Sequence, residues 1–392
     1  MERWAQADQG RRASGTFRDT LFSSAQRIIF LVDIDSFYPS VEVRENPSLR
    51  GLPIVVGADP KGGRGRGVVA SCSYEARKLG IRAGMPISRA YGICPSAVYL
   101  RPNFHLYGNV SEKVMDIIGN FSDVFEQVSI DEAFLDVTKS SGENWDAARR
   151  IALLLKKDVL EKEGLTCSVG IAPNKSTAKI AAEYQKPNGL TTVEPSKVLE
   201  FLRPLPVSAI TGVGPKTREF LESIGVKSIG DLQALQGEEL VKHFGKTGVW
   251  LWGVAHGLEE IPVRERTLMK SLSAEHTFDS DVLDRNQVLE KLFELVATLH
   301  HRLQSAGYEY RVVGIRIRFA HFQTYTRENT LPNYTQDKGT ILSEARTLFK
   351  EFEGNNKRVR LIGVRVSDLR RKDGQSNVEG GLETWLEERH ES

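Results

Sequence analysis

Ser129-Ile130-Asp131-Glu132-Ala133-Phe134-Leu135-Asp136-Val137 sets two adjacent carboxylates inside an apolar, strand-like run. It directly follows Asp123-Val124-Phe125-Glu126-Gln127-Val128. Burying one ionised carboxylate costs several kcal/mol unless a cation or hydrogen bonds compensate, and burying two side by side costs more. Either the pair lies at a solvated strand end, or a metal holds it. On pattern alone an exposed Asp-Glu turn is the favoured reading, and a second feature reverses that preference.

That feature lies upstream. Arg27-Ile28-Ile29-Phe30-Leu31-Val32-Asp33 is a continuous apolar run ending in an acid. Its length and β-branched content suit a strand buried on both faces, although periodicity alone also admits a short helix. An acid closing a central strand commonly faces a cleft. Asp33 with Asp131 and Glu132 makes a three-carboxylate set suited to divalent cations bridging a substrate phosphate. Asp35 either joins that set or, ahead of Ser36, caps a helix that begins at Phe37-Tyr38-Pro39-Ser40-Val41-Glu42.

Further along, Pro53–Gly57 and Gly67–Ser71 read as short strands. The glycine-rich basic segment Lys61-Gly62-Gly63-Arg64-Gly65-Arg66-Gly67 between them lacks the Gly-Lys-Ser/Thr of a phosphate-binding P-loop and reads as a mobile surface loop. Ser73-Tyr74-Glu75-Ala76-Arg77-Lys78-Leu79-Gly80 is a helix with a glycine stop. Tyr74 and Arg77, three apart, share a face on which a phenol and a guanidinium can clamp a phosphate. Trp145 to Glu163 has amphipathic spacing, Leu165 to Ile171 is a strand, and Asn174 to Gln185 is a small-residue helix carrying Lys175 and Lys179. Lys186-Pro187-Asn188-Gly189 ends it as a rigid turn presenting Lys186, a lysine that would ordinarily be solvated.

Leu205 to Thr217 opens a different module. Gly212-Val213-Gly214 followed by Pro215-Lys216-Thr217 reads as the turn of a helix-hairpin-helix unit, whose backbone N–H groups approach a DNA phosphate without reading sequence. His243 to Gly248 reads as a degenerate second copy. After a hinge near Glu260–Arg266, residues 273–372 carry two helices and alternating strands, with 17 Lys and Arg against 13 Asp and Glu. Val313, Ile315, Ile317 and Phe319 alternate with Arg316 and Arg318, and Arg365 sits in a similar strand, so arginines on an open sheet face would track phosphates. The last stretch, 373–392, is acidic, with one Arg against six acids. Its Leu382, Trp385 and Leu386 read as apolar anchors for a partner's groove.

Composition bounds the rest. At 392 residues the chain is long enough for two or three domains. Cys72, Cys94 and Cys167 form no CxxC pair, which suggests neither a zinc site nor a disulfide framework. Residues 1–26 are polar and lack the apolar core of a signal peptide. The expectation is a soluble, cytoplasmic protein.

Taken together these residues resemble a Y-family DNA polymerase of the DNA polymerase IV branch. Val32-Asp33-Ile34-Asp35-Ser36-Phe37-Tyr38, Ser73 to Pro86, Ser129 to Ala133, Lys186 to Gly189, Gly212-Val213-Gly214 and Ile362-Gly363-Val364-Arg365 carry the resemblance. It implies an α+β multidomain right hand: a flexible leader (1–26), a palm with a mixed α/β, ferredoxin-like sheet (27–35 and 101–193), and small fingers (36–100). A helical thumb with the helix-hairpin-helix (194–262), a linker (263–272), an α/β little finger (273–372) and an acidic tail (373–392) follow. It further implies that Asp33, Asp131 and Glu132, with the carbonyl of Ile34, hold two Mg²⁺. Tyr74, Arg77, Lys186 and Ser71 would hold the triphosphate of a dNTP, and Tyr38 would be the steric gate against a 2′-OH. Gly212, Gly214, Lys216, Arg316, Arg318 and Arg365 would contact primer-template DNA.

The implied activity is template-directed translesion synthesis by a monomer, without proofreading. Ser36 departs from the family's usual cysteine or aromatic. The tail resembles a sliding-clamp-binding peptide in which Glu379 replaces Gln and Leu386 replaces an aromatic. Rival readings are another palm-fold nucleotidyl transferase or cyclase, and a non-catalytic DNA-binding protein. The first would lack the helix-hairpin-helix and the basic sheet, and the second would lack the three acids.

Overall fold

The apolar run after Arg27 forms a strand, Ile29–Ile34, in which every residue except Asp33 is buried. The computed structural model describes residues 27–259, 261–265, 269–354 and 356–372. Its strands in chain order begin with β1 (Ile29–Ile34), β2 (Ile54–Gly57), β3 (Val69–Cys72), β4 (Val98–Leu100), β5 (Val124–Gln127) and β6 (Glu132–Asp136). They continue with β7 (Cys167–Ala172), β8 (Leu190–Thr192), β9 (Ser271–Val282), β10 (Tyr308–Phe319), β11 (Thr324–Thr335) and β12 (Val359–Arg371). The chain divides into two units, one running to Asp35 and again from Met115 to Arg264, the other comprising Ser36–Val114 and the residues from Glu265.

The first unit is built on a five-stranded sheet ordered β5-β6-β1-β7-β8. Strand β1 lies at its centre, antiparallel to both β6 and β7. A strand paired on both edges and covered on both faces needs no polar alternation, which is why its sequence is continuously apolar. On one face Ile29, Leu31 and Phe134 pack with Ala178 and Ala181 of the helix Lys175–Tyr184. The amphipathic helix Trp145–Glu163 buries Ala148, Ala152, Leu155 and Val159 and packs along β7.

The core under Lys175–Tyr184 does not stop at the sheet. It runs on through Val198, Leu202 and Val207 into Leu221, Leu240, Leu251 and Trp252 of the helical module. That module places the helix Pro215–Ser223 after the Gly212–Gly214 turn, and Gly237–Phe244 and Lys246–Ala255 around Gly245. The second pair read from the sequence is present as two helices around Gly245, whereas the Gly212–Gly214 turn is entered from a short 3-10 turn, Val207–Ala209. A single core makes the sheet and the helical module one folding unit. Each fully buried aliphatic side chain in it contributes roughly 2 kcal/mol.

Among the described residues, the second unit includes two hydrophobic cores that each lie on a sheet. A small sheet, β3-β2-β4, packs Val55, Val69 and Cys72 against Ala76, Ile81, Ile87 and Ala90. An antiparallel sheet, β11-β10-β12-β9, is covered on one face by the helices Arg285–Ser305 and Lys338–Lys350. Val313, Ile315, Ile317 and Phe319 lie in that core. Arg316 and Arg318 occupy the alternate positions on β10, as the pattern required.

The glycine-rich basic segment differs from its reading as a mobile loop. Lys61–Gly63 closes a helical turn, Lys61 pairs with Asp279 at 2.9 Å, and Arg66 pairs with Asp281 at 2.6 Å while donating to the Phe278 carbonyl. Local sequence shows the basic residues but not their acidic partners more than 200 positions away. Among the described residues, no helix is long and apolar enough to cross a membrane.

Candidate active site

The Asp-Glu pair is split by the start of a strand. Ser129, Ile130 and Asp131 form a bend, and β6 begins at Glu132. Glu132 is the direct cross-strand partner of Asp33, and such opposed residues project from the same face of a sheet. Asp131 stands one residue before the strand. Its carbonyl accepts from the Ile34 N–H, and its carboxylate accepts from Ser129 Oγ at 2.6 Å. The bend releases Asp131 from the alternation that would send it to the opposite face. Its charge reaches Asp33 strongly enough to raise that carboxyl's pKa.

Each of the two strand acids faces a lysine. Lys186 Nζ lies 2.7 Å from Asp33 Oδ1 and also pairs with Glu183 at 2.6 Å. Lys179 pairs with Glu132. Burial pushes the Asp33 carboxyl up to about 7, outweighing Lys186, which pulls it down. Burial works to lower Lys186, but Asp33 and Glu183 hold its proton more tightly than in a free lysine. Lys186 is thus a partly buried, charge-bearing group rather than a solvated turn residue; its side chain is 13% exposed.

Lys179 was visible in the sequence only as one of two helical lysines. It reaches Glu132 because the helix Lys175–Tyr184 approaches β7 closely. A Cβ built on Gly170 would sit 2.0 Å from the Ala178 carbonyl oxygen, so only glycine permits this packing. Lys175, one turn earlier, pairs instead with Glu126 on β5.

Asp35 neither caps the helix nor joins the acids on the lysine face. The helix Phe37–Glu45 is preceded by Ser36, in a left-handed conformation and without a side-chain cap bond. Asp35 is 2% exposed, and its carboxylate accepts from Thr166 Oγ1, Ser168 Oγ and the Asn188 N–H. Three aligned donors remove the cost that makes a buried carboxylate unfavourable.

Among the described residues, no three His, Cys, Asp or Glu side chains gather closely enough to form a metal-binding cluster. The donor chemistry nevertheless suits a hard divalent cation. Three carboxylates stand at one end of β1 and β6, and two of them carry ammonium counterions that a cation can replace.

Within the second unit, Tyr38 is 6% exposed and stacks on Tyr107, with ring centroids 4.4 Å apart and planes 13° apart. Phe104 meets both rings edge-on. Tyr107 donates to Glu42, and burial followed by that carboxylate raises the phenol's pKa. Neither Phe104 nor Tyr107 was singled out from the sequence. Aromatic residues at this spacing on a helix look like ordinary core, and nothing local ties them to Tyr38.

Ser36 donates its hydroxyl to the Cys72 carbonyl at 2.8 Å, which fixes the start of the Tyr38 helix against β3. Ser71 lies on β3, opposite Val56. Ser73 caps the helix Tyr74–Lys78, and the Arg77 guanidinium lies 4.7 Å from the Tyr74 ring centroid. These two residues therefore share a face, as their spacing predicts.

On the face of the β11-β10-β12-β9 sheet opposite its helices, Arg365 pairs in register with Gly314, and Gly363 with Arg316. Arg316, Arg318 and Arg365 therefore share that face. Arg316 is held by Glu275 at 2.6 Å and Arg318 by Thr324 at 2.8 Å. Gly212, Gly214 and Lys216 lie around the turn into Pro215–Ser223. Leu382, Trp385 and Leu386, read as partner anchors, and the leader 1–26 lie outside the described residues.

Comparison with known proteins identifies the family. The profile of the impB/mucB/samB family matches residues 32–183, and that of the family's C-terminal domain matches 269–379. A profile described as DNApol eta/Rev1, HhH motif, matches 205–258. DNA polymerase IV 2 of Methanosarcina mazei is 46% identical over 91% of this chain and 96% of its own length. DNA polymerase IV of Clostridioides difficile is 40% identical over 88% and 93%.

Among solved structures, a Y-family DNA polymerase chimera of Dbh and Dpo4 has 31% identity and a TM-score of 0.78, covering 87% of this chain and 98% of that one. The insertion ternary complex of Dbh DNA polymerase gives 30% identity and a TM-score of 0.64 over the same shares. The cyclase and non-catalytic readings fall with these matches. The right-hand α+β architecture, with its helix-hairpin-helix module, holds. The chain belongs to the impB/mucB/samB family of Y-family DNA polymerases.

Proposed function

We propose that Asp33, Asp131 and Glu132, with the Ile34 carbonyl, hold two Mg²⁺ for transfer of dNMP from dNTP to a primer 3′-OH. Membership of the family carries a DNA-directed DNA polymerase activity of the translesion type and a general dependence on divalent metal. The observation that carries the site assignment is the ion pairing of Asp33 with Lys186 and of Glu132 with Lys179. These lysines place positive charge directly beside the two strand acids. When bound, the cations supply Lewis-acid activation of the attacking hydroxyl and charge neutralisation on the leaving pyrophosphate.

The chain's own residues have separate tasks in this reading. Lys186 exchanges Asp33 for the triphosphate, a single ammonium able to serve either anion. Tyr74 and Arg77, fixed as a stacked pair, contribute a hydroxyl and a bidentate fork to phosphate oxygens, with Ser71 beside them on β3. Tyr38, stiffened by its stack on Tyr107, excludes a ribose 2′-OH by position rather than by a hydrogen bond. Gly212, Gly214 and Lys216 engage the duplex backbone, and Arg316, Arg318 and Arg365 track phosphates from the open sheet face.

Primer-template DNA and dNTP are the substrates, as for Dbh, which has been solved as an insertion ternary complex. In domain terms, 27–35 with 101–193 is the palm, 36–100 the fingers, 194–262 the thumb, 263–272 the linker and 273–372 the little finger. The enzyme acts as a cytoplasmic monomer, recruited by a sliding clamp through residues 373–392. The test is extension of a defined primer with Mg²⁺ and dNTPs, on templates with and without a lesion. Extension on the intact template that continues across the lesion supports the reading, and no extension on either sinks it.

A further inference from the structure

The family reading leaves one buried carboxylate without a task. We propose that Asp35 is a positioning residue that holds the Lys186–Gly189 turn, and so fixes where the Lys186 ammonium stands. This rests on the assignment of Lys186 to the incoming triphosphate.

The geometry makes a closed circuit from one strand end. Asp33 and Asp35 flank Ile34 at the end of β1. Asp33 takes the Lys186 ammonium at 2.7 Å. Asp35 takes the backbone N–H of Asn188, two residues further along the same turn, at 2.8 Å. The same carboxylate is anchored to its surroundings by Thr166 Oγ1 at 2.8 Å and Ser168 Oγ at 2.7 Å, and the Asp35 N–H donates to the Thr166 carbonyl.

Other contacts brace the turn beside Asp35, among them the Val169 N–H, which donates to the Gly189 carbonyl at 3.1 Å. Asn188 adopts a positive φ of 55°, outside regular secondary structure. A Cβ on Gly189 would lie 2.6 Å from the Gln185 carbonyl oxygen, so the chain doubles back tightly there. Ser168 Oγ, itself held by Asp35, accepts the Gly189 N–H at 3.2 Å. Lys156 braces the other side, donating to Asn188 Oδ1 at 2.8 Å and to the Gly189 carbonyl at 3.1 Å. Each of the two residues after Pro187 is therefore gripped from two sides, and Asp35 is the group common to the Asn188 N–H and the Ser168 hydroxyl.

The consequence concerns what happens when Lys186 leaves Asp33 for a phosphate. Its side chain is long and flexible, so the backbone beneath it, together with the Glu183 carboxylate at 2.6 Å, limits where the ammonium goes. A turn tied to β1 through Asp35 keeps the lysine's base fixed relative to Asp33 while its tip changes partner.

Single-nucleotide insertion kinetics on the full chain test this, with Asp35→Ala, Asp35→Asn, Lys186→Ala and the Asp35→Ala/Lys186→Ala double variant. Asparagine retains an acceptor for Asn188 N–H and Thr166, and its amide can donate to Ser168 Oγ. The expected result is a KM for dNTP raised about tenfold in Asp35→Ala, with primer-template affinity unchanged, and a return to within about threefold in Asp35→Asn. The double variant should be no worse than Lys186→Ala, because residues acting through one group are not additive. Additive losses in the double variant, or an unchanged KM in a folded Asp35→Ala, overturn the proposal. Should Asp35→Ala fail to fold, Asp35→Asn is compared alone and with Lys186→Ala, and a large loss that adds in the double overturns it equally. A normal KM in Lys186→Ala alone instead overturns the triphosphate assignment on which the proposal stands.

Discussion

Lys186 Nζ sits 2.7 Å from Asp33 Oδ1, in a place where both side chains are mostly buried. Even so, burial keeps the Asp33 carboxyl pKa near 7, above its unfolded value of 3.8. A carboxyl raised in this way is protonated in the folded chain and ionised in the unfolded chain between those two values. Metal-free stability therefore falls as pH rises from about 4 to about 7 and then levels off, the reverse of a salt-bridged acid with a depressed pKa. The loss attributable to Asp33 is on the order of a few kcal/mol. Urea unfolding of the metal-free protein and of Asp33→Asn, at pH 5 and pH 7.5, should show the wild type losing stability relative to the variant. Equal changes in both proteins would remove Asp33 as the source.

The same carboxyl must lose its proton to hold a cation, so Mg²⁺ binding should release a proton below about pH 7. Apparent Mg²⁺ affinity should then weaken by up to about tenfold per pH unit below that point. Calorimetric titration in two buffers of different ionisation enthalpy reads the proton directly. A buffer-independent heat at pH 6 would contradict the shifted Asp33.

Asp131→Ala separates chemistry from folding. Asp131 lies in a bend outside β6, and its carboxylate accepts a local hydrogen bond from Ser129 Oγ. The variant should melt close to the wild type and bind primer-template normally. Extension should fall about a thousandfold, equivalent to about 4 kcal/mol of transition-state stabilisation. Gel-shift binding alongside timed extension checks both halves, and extension at the wild-type rate would end the metal assignment.

Much of this site was legible in the sequence because its chemistry is concentrated in short stretches. An apolar run closed by Asp33, and an Asp-Glu pair entering another, are visible without coordinates, as is the shared face of Tyr74 and Arg77. What stayed hidden was every relationship set by register or by distant chain. The bend at Ser129–Asp131 that frees Asp131 from strand alternation leaves no local signature. Lys179 acquires its meaning only through the close packing at Gly170, and Asp35 only through Thr166, Ser168 and Asn188. The core shared by the sheet and the helical module was likewise invisible, because periodicity identifies an apolar face without naming what covers it.

Tyr38 offers a test in which shape and hydrogen bonding part company. Its ring is parallel to Tyr107 and edge-on to Phe104, so the cluster fixes the ring independently of the hydroxyl. Tyr38→Ala should cut discrimination between dNTP and rNTP by about a hundredfold, the scale on which a shaped pocket rejects one added hydroxyl. It should also destabilise the fold by about 3–5 kcal/mol, as other large-to-small aromatic truncations do. Tyr38→Phe keeps the ring and should preserve selectivity within a few-fold. Equal loss in both variants would assign discrimination to the phenol oxygen instead.

Residues 373–392 should matter only when a clamp is present. A chain ending at Lys372 retains the cores of all three described sheets and every residue assigned to nucleotide transfer. Its unassisted extension should match the full chain, while its stimulation by a loaded sliding clamp should drop. Processivity assays with and without clamp and loader check this, and full stimulation of the shortened chain would dismiss the tail as the recruiting segment.

The basic segment before β3 makes two ion pairs of unequal weight, and the inequality is testable. Lys61 and Asp279 are 48% and 86% exposed, so solvent screening leaves their contact worth little. Arg66 and Asp281 are 27% and 19% exposed, and the same guanidinium also donates to the Phe278 carbonyl at 3.1 Å. Hydrogen bonds from a charged, partly buried donor contribute about 1.5–3 kcal/mol. Arg66→Ala should therefore speed amide exchange across Phe278–Asp281 by about tenfold or more, whereas Lys61→Ala should leave it nearly unchanged. Raising salt should mimic the lysine variant far better than the arginine variant, since exposed charges are screened first. Equal exchange in the two variants would mean that the arginine carries no more of the contact than the lysine does.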